Sequence, residues 1–400
     1  MDSIIDSNPV AKRFYTKRKI SDFPETISTR LYLLLNITAK EAEKGDVRIF
    51  DECTEDRLIL VHYIVPMSAV YHIRGIIIDL GVDDRPKIIC SGFPYTKELS
   101  PNDEKALQIK ITPRTIVTNA YEGTILRMFK GRVSGKWYLS THHKINGRQS
   151  RWSGPLFGKM FDDIWGDKKY SDFLEEHSCY IFLVFHHENR LVCSVSESKI
   201  YLVGRFCSTD DGQMVYTPVP KLCLLQHHPN VFVQNPLEIS STEELITMTK
   251  SLDCKEYTGI LVTTSNENET ILSCYKLVPD EYTKNRIIRG NEPNLQLRYL
   301  QLKITNKTET IRNLFPEKLE LFDNIEKNIT ILPEYLSKTY EYRYKQGNYL
   351  RLPQEEFYVL ETIRHHYDPL ITLQENIQAI LLTSTARQLN AMIRHLPRKN

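Results

Sequence analysis

The densest run of side chains able to do chemistry lies between Arg127 and Met160. Arg127, Lys130, Arg132, Lys136, Lys144, Arg148, Arg151 and Lys159 fall there with no Asp or Glu among them. Phe129, Trp137, Tyr138, Trp152 and Phe157 are interleaved. Cationic groups at this density can follow a phosphate backbone while aromatic rings stack on bases. The run is therefore a candidate contact surface for nucleic acid or another polyanion. The plainer readings are a hairpin with a solvated basic face over buried rings, or a surface for an acidic protein partner. Four His-His pairs (142–143, 186–187, 227–228 and 365–366) raise the question of a metal. Neighbours on a strand point to opposite faces, and no Cys or His stands at zinc-ligand spacing, so these are read as loop and surface histidines and no metal is expected.

Short β-rich runs position the first of these groups: Leu58–Val65, Tyr71–Asp79 and Lys87–Ser91, after a helix-like stretch at Thr29–Ala42. From about residue 116 the pattern predicts strands at Val133–Thr141, Cys179–Phe185, Arg190–Val195, Ile200–Val203, Gly259–Thr264, Thr270–Lys276 and Leu295–Ile304. Helices are predicted at Phe157–Trp165 and Ser241–Thr249, the second opening on a capping-box-like Ser241-Thr242-Glu243-Glu244. Beyond residue 306, Leu319, Phe322, Ile325 and Ile329 recur at helical spacing, as do Leu360 and Ile363, then Ile377, Ile380 and Leu381. The expected organisation is an N-terminal lobe (1–115), a β-dominated core (116–305) and an α-helical domain (306–400). The fold class is α+β.

Several segments stand in an order that resembles the covalent nucleotidyltransferases, T4-type ATP-dependent RNA ligases in particular. Ala120-Tyr121-Glu122-Gly123-Thr124 resembles their Lys-x-Asp/Glu-Gly-Ser/Thr, and Ser140-Thr141-His142-His143 their Ser-Thr-Arg-Gly. Arg74-Gly75 followed by Phe93-Pro94 looks like the upstream Arg-Gly strand and the later Phe-Pro segment. Phe182-Leu183 through Asn189-Arg190-Leu191-Val192 looks like Phe-Glu-Leu-x-x-Pro-x-Asn-Arg-Ile-Val. Tyr201–Arg205 sits where a Leu/Ile-rich strand ending in a small residue and Arg is expected. Thr258-Gly259-Ile260 resembles Glu-Gly-Ile, and Gln301-Leu302-Lys303 the closing Lys-x-Lys strand. The resemblance covers about residues 60–305. It implies an antiparallel-sheet nucleotidyltransferase core using ATP and magnesium.

The departures fall on the reaction itself. Lysine adenylylation needs an amine to attack the α-phosphate, and position 120 carries a methyl group. The metal-binding Glu becomes Leu183, the acidic residue before Gly259 becomes Thr258, and the first closing lysine becomes Gln301. The guanidinium fork after Ser-Thr becomes His142. Glu122, Gly123 and Lys303 then read as remnants of a nucleotide pocket. The resemblance so read implies a catalytically degenerate ligase-like protein, a structural or interaction component without a cofactor and with protein partners. Its analogy to chains of large DNA viruses extends this to a virion or assembly component. Two rivals are an active ligase with a displaced nucleophile, Lys130 or Lys144, and a non-catalytic nucleic-acid-binding protein.

Composition bounds these readings. Over 400 residues, 52 basic and 50 acidic groups leave a formal charge of +2, so whole-chain charge argues for no partner. No run approaches the length of a membrane span, and Met1–Asp6 lacks the features of a signal peptide. The eight cysteines form no CxxC pair and are read as free thiols of a reducing, cytoplasmic compartment.

Overall fold

The computed structural model describes residues 17–81, 85–152, 154–194, 196–217, 224–266 and 271–396. The chain forms two compact units, Met1–Thr283 and Lys284–Asn400. The fold is α+β with mainly antiparallel sheets and a helical C-terminal unit.

The first unit holds three sheets. Strands β1 (Arg48–Cys53), β2 (Leu58–His62), β3 (Arg74–Asp79) and β4 (Lys87–Cys90) form an antiparallel meander. Helices α1 (Glu25–Leu34) and α2 (Ala39–Lys44) cap one end of the sequence before it. The single helix expected over Thr29–Ala42 is broken. Asn36 takes a left-handed φ of 50°, and Thr38 and Glu41 form a capping box that starts α2 afresh.

Strand β6 (Thr115–Ala120) follows the short β5 (Lys97–Leu99), and the chain then turns through Glu122 and Gly123 into β7 (Thr124–Lys130). This turn carries it from one sheet to another. Strand β7 lies in a six-stranded sheet with β8 (Trp137–Ser140), β9 (Ser178–Phe185), β10 (Lys199–Ser208), β11 (Met214–Thr217) and β12 (Val231–Val233). Strand β6 instead pairs with β13 (Gly259–Ser265), which pairs with β14 (Ile271–Leu277) and through it with β5. The turn needs glycine: Gly123 has φ +157°, and a Cβ there would stand 2.5 Å from the Val184 carbonyl oxygen.

Every residue of β9 is buried, because both of its faces are covered. Tyr180, Phe182 and Val184 pack with Phe161 and Trp165 of α3 (Phe157–Trp165). On the other face, Cys179 and Ile181 share a core with Phe50, Leu58, Leu60, Ile77 and Cys90 of the N-terminal sheet. The N-terminal lobe is thus part of one compact unit with the β-core. The third sheet packs its own core, Val117, Ile260, Val262 and Leu277, against Leu245 of α4 (Thr242–Lys250).

The second unit is helical. The helices after α5 (Asp280–Arg289) are α6 (Leu295–Ile304), α7 (Thr308–Leu314), α8 (Leu319–Tyr340), α9 (Gln354–His365), α10 (Leu373–Thr383) and α11 (Ala386–His395). Their core includes Leu300, Phe322, Leu332, Leu360, Ile363 and Ile377. The structure corrects the expected strand at Leu295–Ile304, which is α6. Asn294 caps it, its side chain accepting from the Leu297 amide at 3.0 Å. Among the described residues no helix is long and apolar enough to cross a membrane. Seven cysteines are free thiols, and Cys223 lies outside the described residues, as do Met1–Asp6.

Candidate functional site

Strand alternation builds a cavity of about 530 Å³ in the first unit. From the six-stranded sheet, Ile125 and Arg127 of β7 and Ile181 and Leu183 of β9 face it, with the pairs Ile125–Leu183 and Arg127–Ile181 in register. From the third sheet come Ala120, Leu261, Cys274 and Lys276. The segment after β4 supplies Phe93, Tyr95, Thr96 and Glu98. Arg74, Asn119, His142 and Gln234 complete the polar lining.

Ala120 and Leu183 both meet this cavity, so a methyl and an isobutyl group occupy its wall. Thr258 does not line it. Its hydroxyl donates back to the Ala120 carbonyl at 3.0 Å, and its residue is buried. Lys276 lines the cavity with its ammonium 3.6 Å from the Glu98 carboxylate. The sequence reading missed it. Cys274 and Lys276 are separated by one residue on β14, the strand paired to the one that starts at Gly259. Gln301 and Lys303, expected on a closing strand, lie on α6 in the second unit, where Lys303 pairs with Glu326 at 2.6 Å and Gln301 accepts from Arg298 at 3.0 Å. The available signal was the alternation of Cys274 and Lys276 within the expected strand Thr270–Lys276.

Glu122 does not line the cavity. It is 4% exposed, and its carboxylate accepts from the amides of Leu191 (2.5 Å), Val192 (2.8 Å) and Cys193 (3.1 Å) and from the Tyr282 hydroxyl (3.1 Å). Arg190–Ser194 is therefore not the expected strand: the amides of residues 191–193 serve one buried carboxylate, and that of Ser194 donates to the Lys255 carbonyl at 2.7 Å. Asn189 donates to the Thr124 hydroxyl at 2.8 Å, and Arg190 donates to the Cys193 carbonyl at 2.9 Å.

The basic run is dispersed and largely neutralised by acids from elsewhere in the chain. Arg127, which faces the cavity, is fully buried from the outer surface and donates to the carbonyls of Gly75 and Thr141. Lys130 pairs with Glu176, Lys136 with Glu55 at 2.5 Å, Lys144 with Asp51 at 3.0 Å and Arg148 with Asp162 at 2.6 Å. Arg132 stands 3.9 Å from Asp79, and Arg151 is exposed. Of the interleaved rings, Trp137 and Phe157 are half-buried against the core of the six-stranded sheet, and Trp152 is half-buried. Phe129 and Tyr138 are buried and stacked, and the Tyr138 hydroxyl donates to buried Asp56 at 2.5 Å. Neither Lys130 nor Lys144 lines the cavity.

Beside the cavity, His62, His142 and His143 cluster with Arg74 and Arg127. Burial, with His143 and the two guanidiniums nearby, pushes His62 down to about 4. Burial and Arg127 hold His142 far below the usual imidazole value. Burial lowers His143 as well, so all three imidazoles are shifted toward the neutral form. A separate group, His186, His187 and Glu188, brings three donor atoms within 4.8 Å of one another. Its two rings stack at 4.5 Å and 24°. The His186 Nδ1 already accepts from the Glu188 amide at 3.2 Å. His228 packs between Trp165 and Phe173 in the core.

No family model matches the chain. It is 28% identical over 349 residues to the protein called immediate-early protein ICP-46 homolog of Invertebrate iridescent virus 3, covering 80% of this chain and 72% of that one. It is 24% identical over 235 residues to immediate-early protein ICP-46 of Frog virus 3 (isolate Goorha), covering 54% of this chain and 56% of that one. Among solved structures, an archaeal ATP-dependent RNA ligase overlaps 93% of this chain and 80% of its own, at 12% identity and a TM-score of 0.43. A second form of such a ligase overlaps 73% of this chain and 78% of its own, at 14% identity and a TM-score of 0.41.

Proposed function

We propose that this chain is a ligase-like viral protein that has kept a nucleotidyltransferase architecture and lost the reaction. It serves as an interaction component, through protein partners, in the viral particle or its assembly. The observation that carries the reading is the cavity wall. The motif order puts a nucleophilic lysine at position 120 and a metal-binding carboxylate at position 183, and the side chains there are a methyl and an isobutyl group facing the cavity. Neither can attack a phosphate or hold a cation. The viral relatives support the source, and the shared motif order supports the architecture.

The test is incubation of the full chain with α-labelled ATP and magnesium, followed by denaturing electrophoresis. The expected result is no label retained on the protein. One observation favours a second reading, an active ligase: Lys276 lines the cavity beside Glu98. A retained label that maps to Lys276 and vanishes in Lys276→Ala would establish that reading and end the first. Purified particles searched by mass spectrometry for this chain test the proposed location, with absence from the particle counting against it.

A further inference from the structure

We propose that Cys90 and Cys179 form an oxidisable dithiol, a modification site at which a hydroperoxide closes a disulfide between the N-terminal sheet and the six-stranded sheet. The Cys179 Sγ donates to the Cys90 Sγ at 3.2 Å, across 89 residues of sequence, and both residues are fully buried. Other described cysteines bond elsewhere: Cys193 to the Cys254 carbonyl, Cys53 to the Tyr138 hydroxyl, Cys274 to the Thr96 hydroxyl and Cys207 to the Ser178 hydroxyl. A disulfide needs the sulfurs near 2.05 Å. The remaining closure of about 1 Å is within reach, since Cys90 is the last residue of β4 and the chain beyond it is irregular.

The surroundings are polar for a buried thiol. Ser140 Oγ lies 3.9 Å from the Cys90 sulfur and the Ser91 carbonyl 3.6 Å from that of Cys179. Burial raises the Cys90 thiol, but the hydrogen bond from Cys179 and the charge of Arg127 outweigh it and lower it overall. Burial and Cys90 together push Cys179 up. Because Cys179 donates its hydrogen toward the Cys90 sulfur, Cys90 is assigned as the attacking sulfur and Cys179 as the resolving one. Gly92, two residues after Cys90, and Arg127, whose charge acts on the Cys90 sulfur, line the cavity, and the proposed route to the dithiol runs from there. Hydrogen peroxide, little larger than water, suits that access.

The Cys90 thiolate attacks one peroxide oxygen. An S–O bond forms, the O–O bond breaks, and hydroxide leaves to take up a proton as water, so that Cys90 carries a sulfenic acid. Cys179 then loses its proton and attacks the Cys90 sulfur. The S–S bond forms, the S–O bond breaks, and the leaving hydroxide takes that proton as a second water. Two thiols are oxidised and one peroxide is reduced. The product ties the segment that supplies Phe93 and Glu98 to the strand that supplies Ile181 and Leu183, bracing two walls of the cavity.

The full chain, folded, is treated with a few equivalents of hydrogen peroxide, denatured in excess iodoacetamide and digested without reductant. The expected result is a linked peptide pair holding Cys90 and Cys179, a loss of two hydrogens per chain, reversal by dithiothreitol, and a rise in the first unit's thermal midpoint of about 5 °C. In Cys179→Ser, Cys90 is expected to be trapped as a dimedone adduct of the sulfenic acid. Alkylation of both cysteines after oxidation, or a linkage formed only when the chain is oxidised in denaturant, overturns the proposal. That peptide map reads the unaltered chain, so it decides even where Cys179→Ser does not fold.

Discussion

Glu122 has four donors aimed at two carboxylate oxygens, so its charge is satisfied by the protein itself. In Glu122→Gln an amide NH2 replaces one oxygen and faces a donor it cannot accept from. Leaving buried donors unmet costs about 2–4 kcal/mol here, as the bonds are charge-assisted. The expected outcome is a lower urea midpoint for the first unit, and an unchanged midpoint would mean that the loop at 191–193 finds other acceptors. His62 sets a pH dependence of defined sign. Its folded value, about 4, lies below the ordinary imidazole value of 6.5, so the unfolded chain binds the proton more readily. The associated stability is present in full above pH 6.5 and is lost as pH falls toward 4, on the order of 3 kcal/mol for this group. His142 and His143, shifted the same way by burial, steepen the loss. Denaturant midpoints taken from pH 7 down to pH 4 should fall, and His62→Phe should flatten the slope.

At the scale of the element, local chemistry was readable where one strand or helix decides its own face. Phe157–Trp165 and the β9 run fold as their patterns predict. For the basic run the sequence left both a polyanion surface and a plain solvated face open, because the acids that pair with it, Asp51, Glu55, Asp162 and Glu176, lie outside its window. The stretch Leu295–Ile304 was misread because its apolar residues alternate over short spans and mimic a strand. What settles it is a helix-start signal, Asn294 after Pro293, with the Asn side chain meeting the N3 amide. Asn294→Ala should therefore cost the second unit about 1 kcal/mol, seen as an earlier loss of far-ultraviolet ellipticity on heating. A change in the first unit's midpoint instead would contradict the placement of this segment.

At the scale of the whole molecule, the three parts expected from the sequence become two compact units, and the reason lies in side chains that no local period reveals. Phe50, Leu60 and Ile77 from the N-terminal sheet share one core with Phe129, Ile181 and Phe206 from the six-stranded sheet. The helical unit has a separate core, centred on residues such as Phe322, which is fully buried and stacked on Tyr299 at 4.7 Å. A chain with two cores need not unfold in one step. Phe322→Ala removes a ring from the second core, a change that costs about 3–5 kcal/mol with the cavity it leaves. The expected outcome is an earlier helical transition while Cys90 and Cys179, buried in the first unit, stay as slow to react with a thiol reagent as in the unaltered chain. If those two cysteines become reactive in step with the helical transition, the two cores unfold as one, and the division at Thr283–Lys284 is not a division in stability.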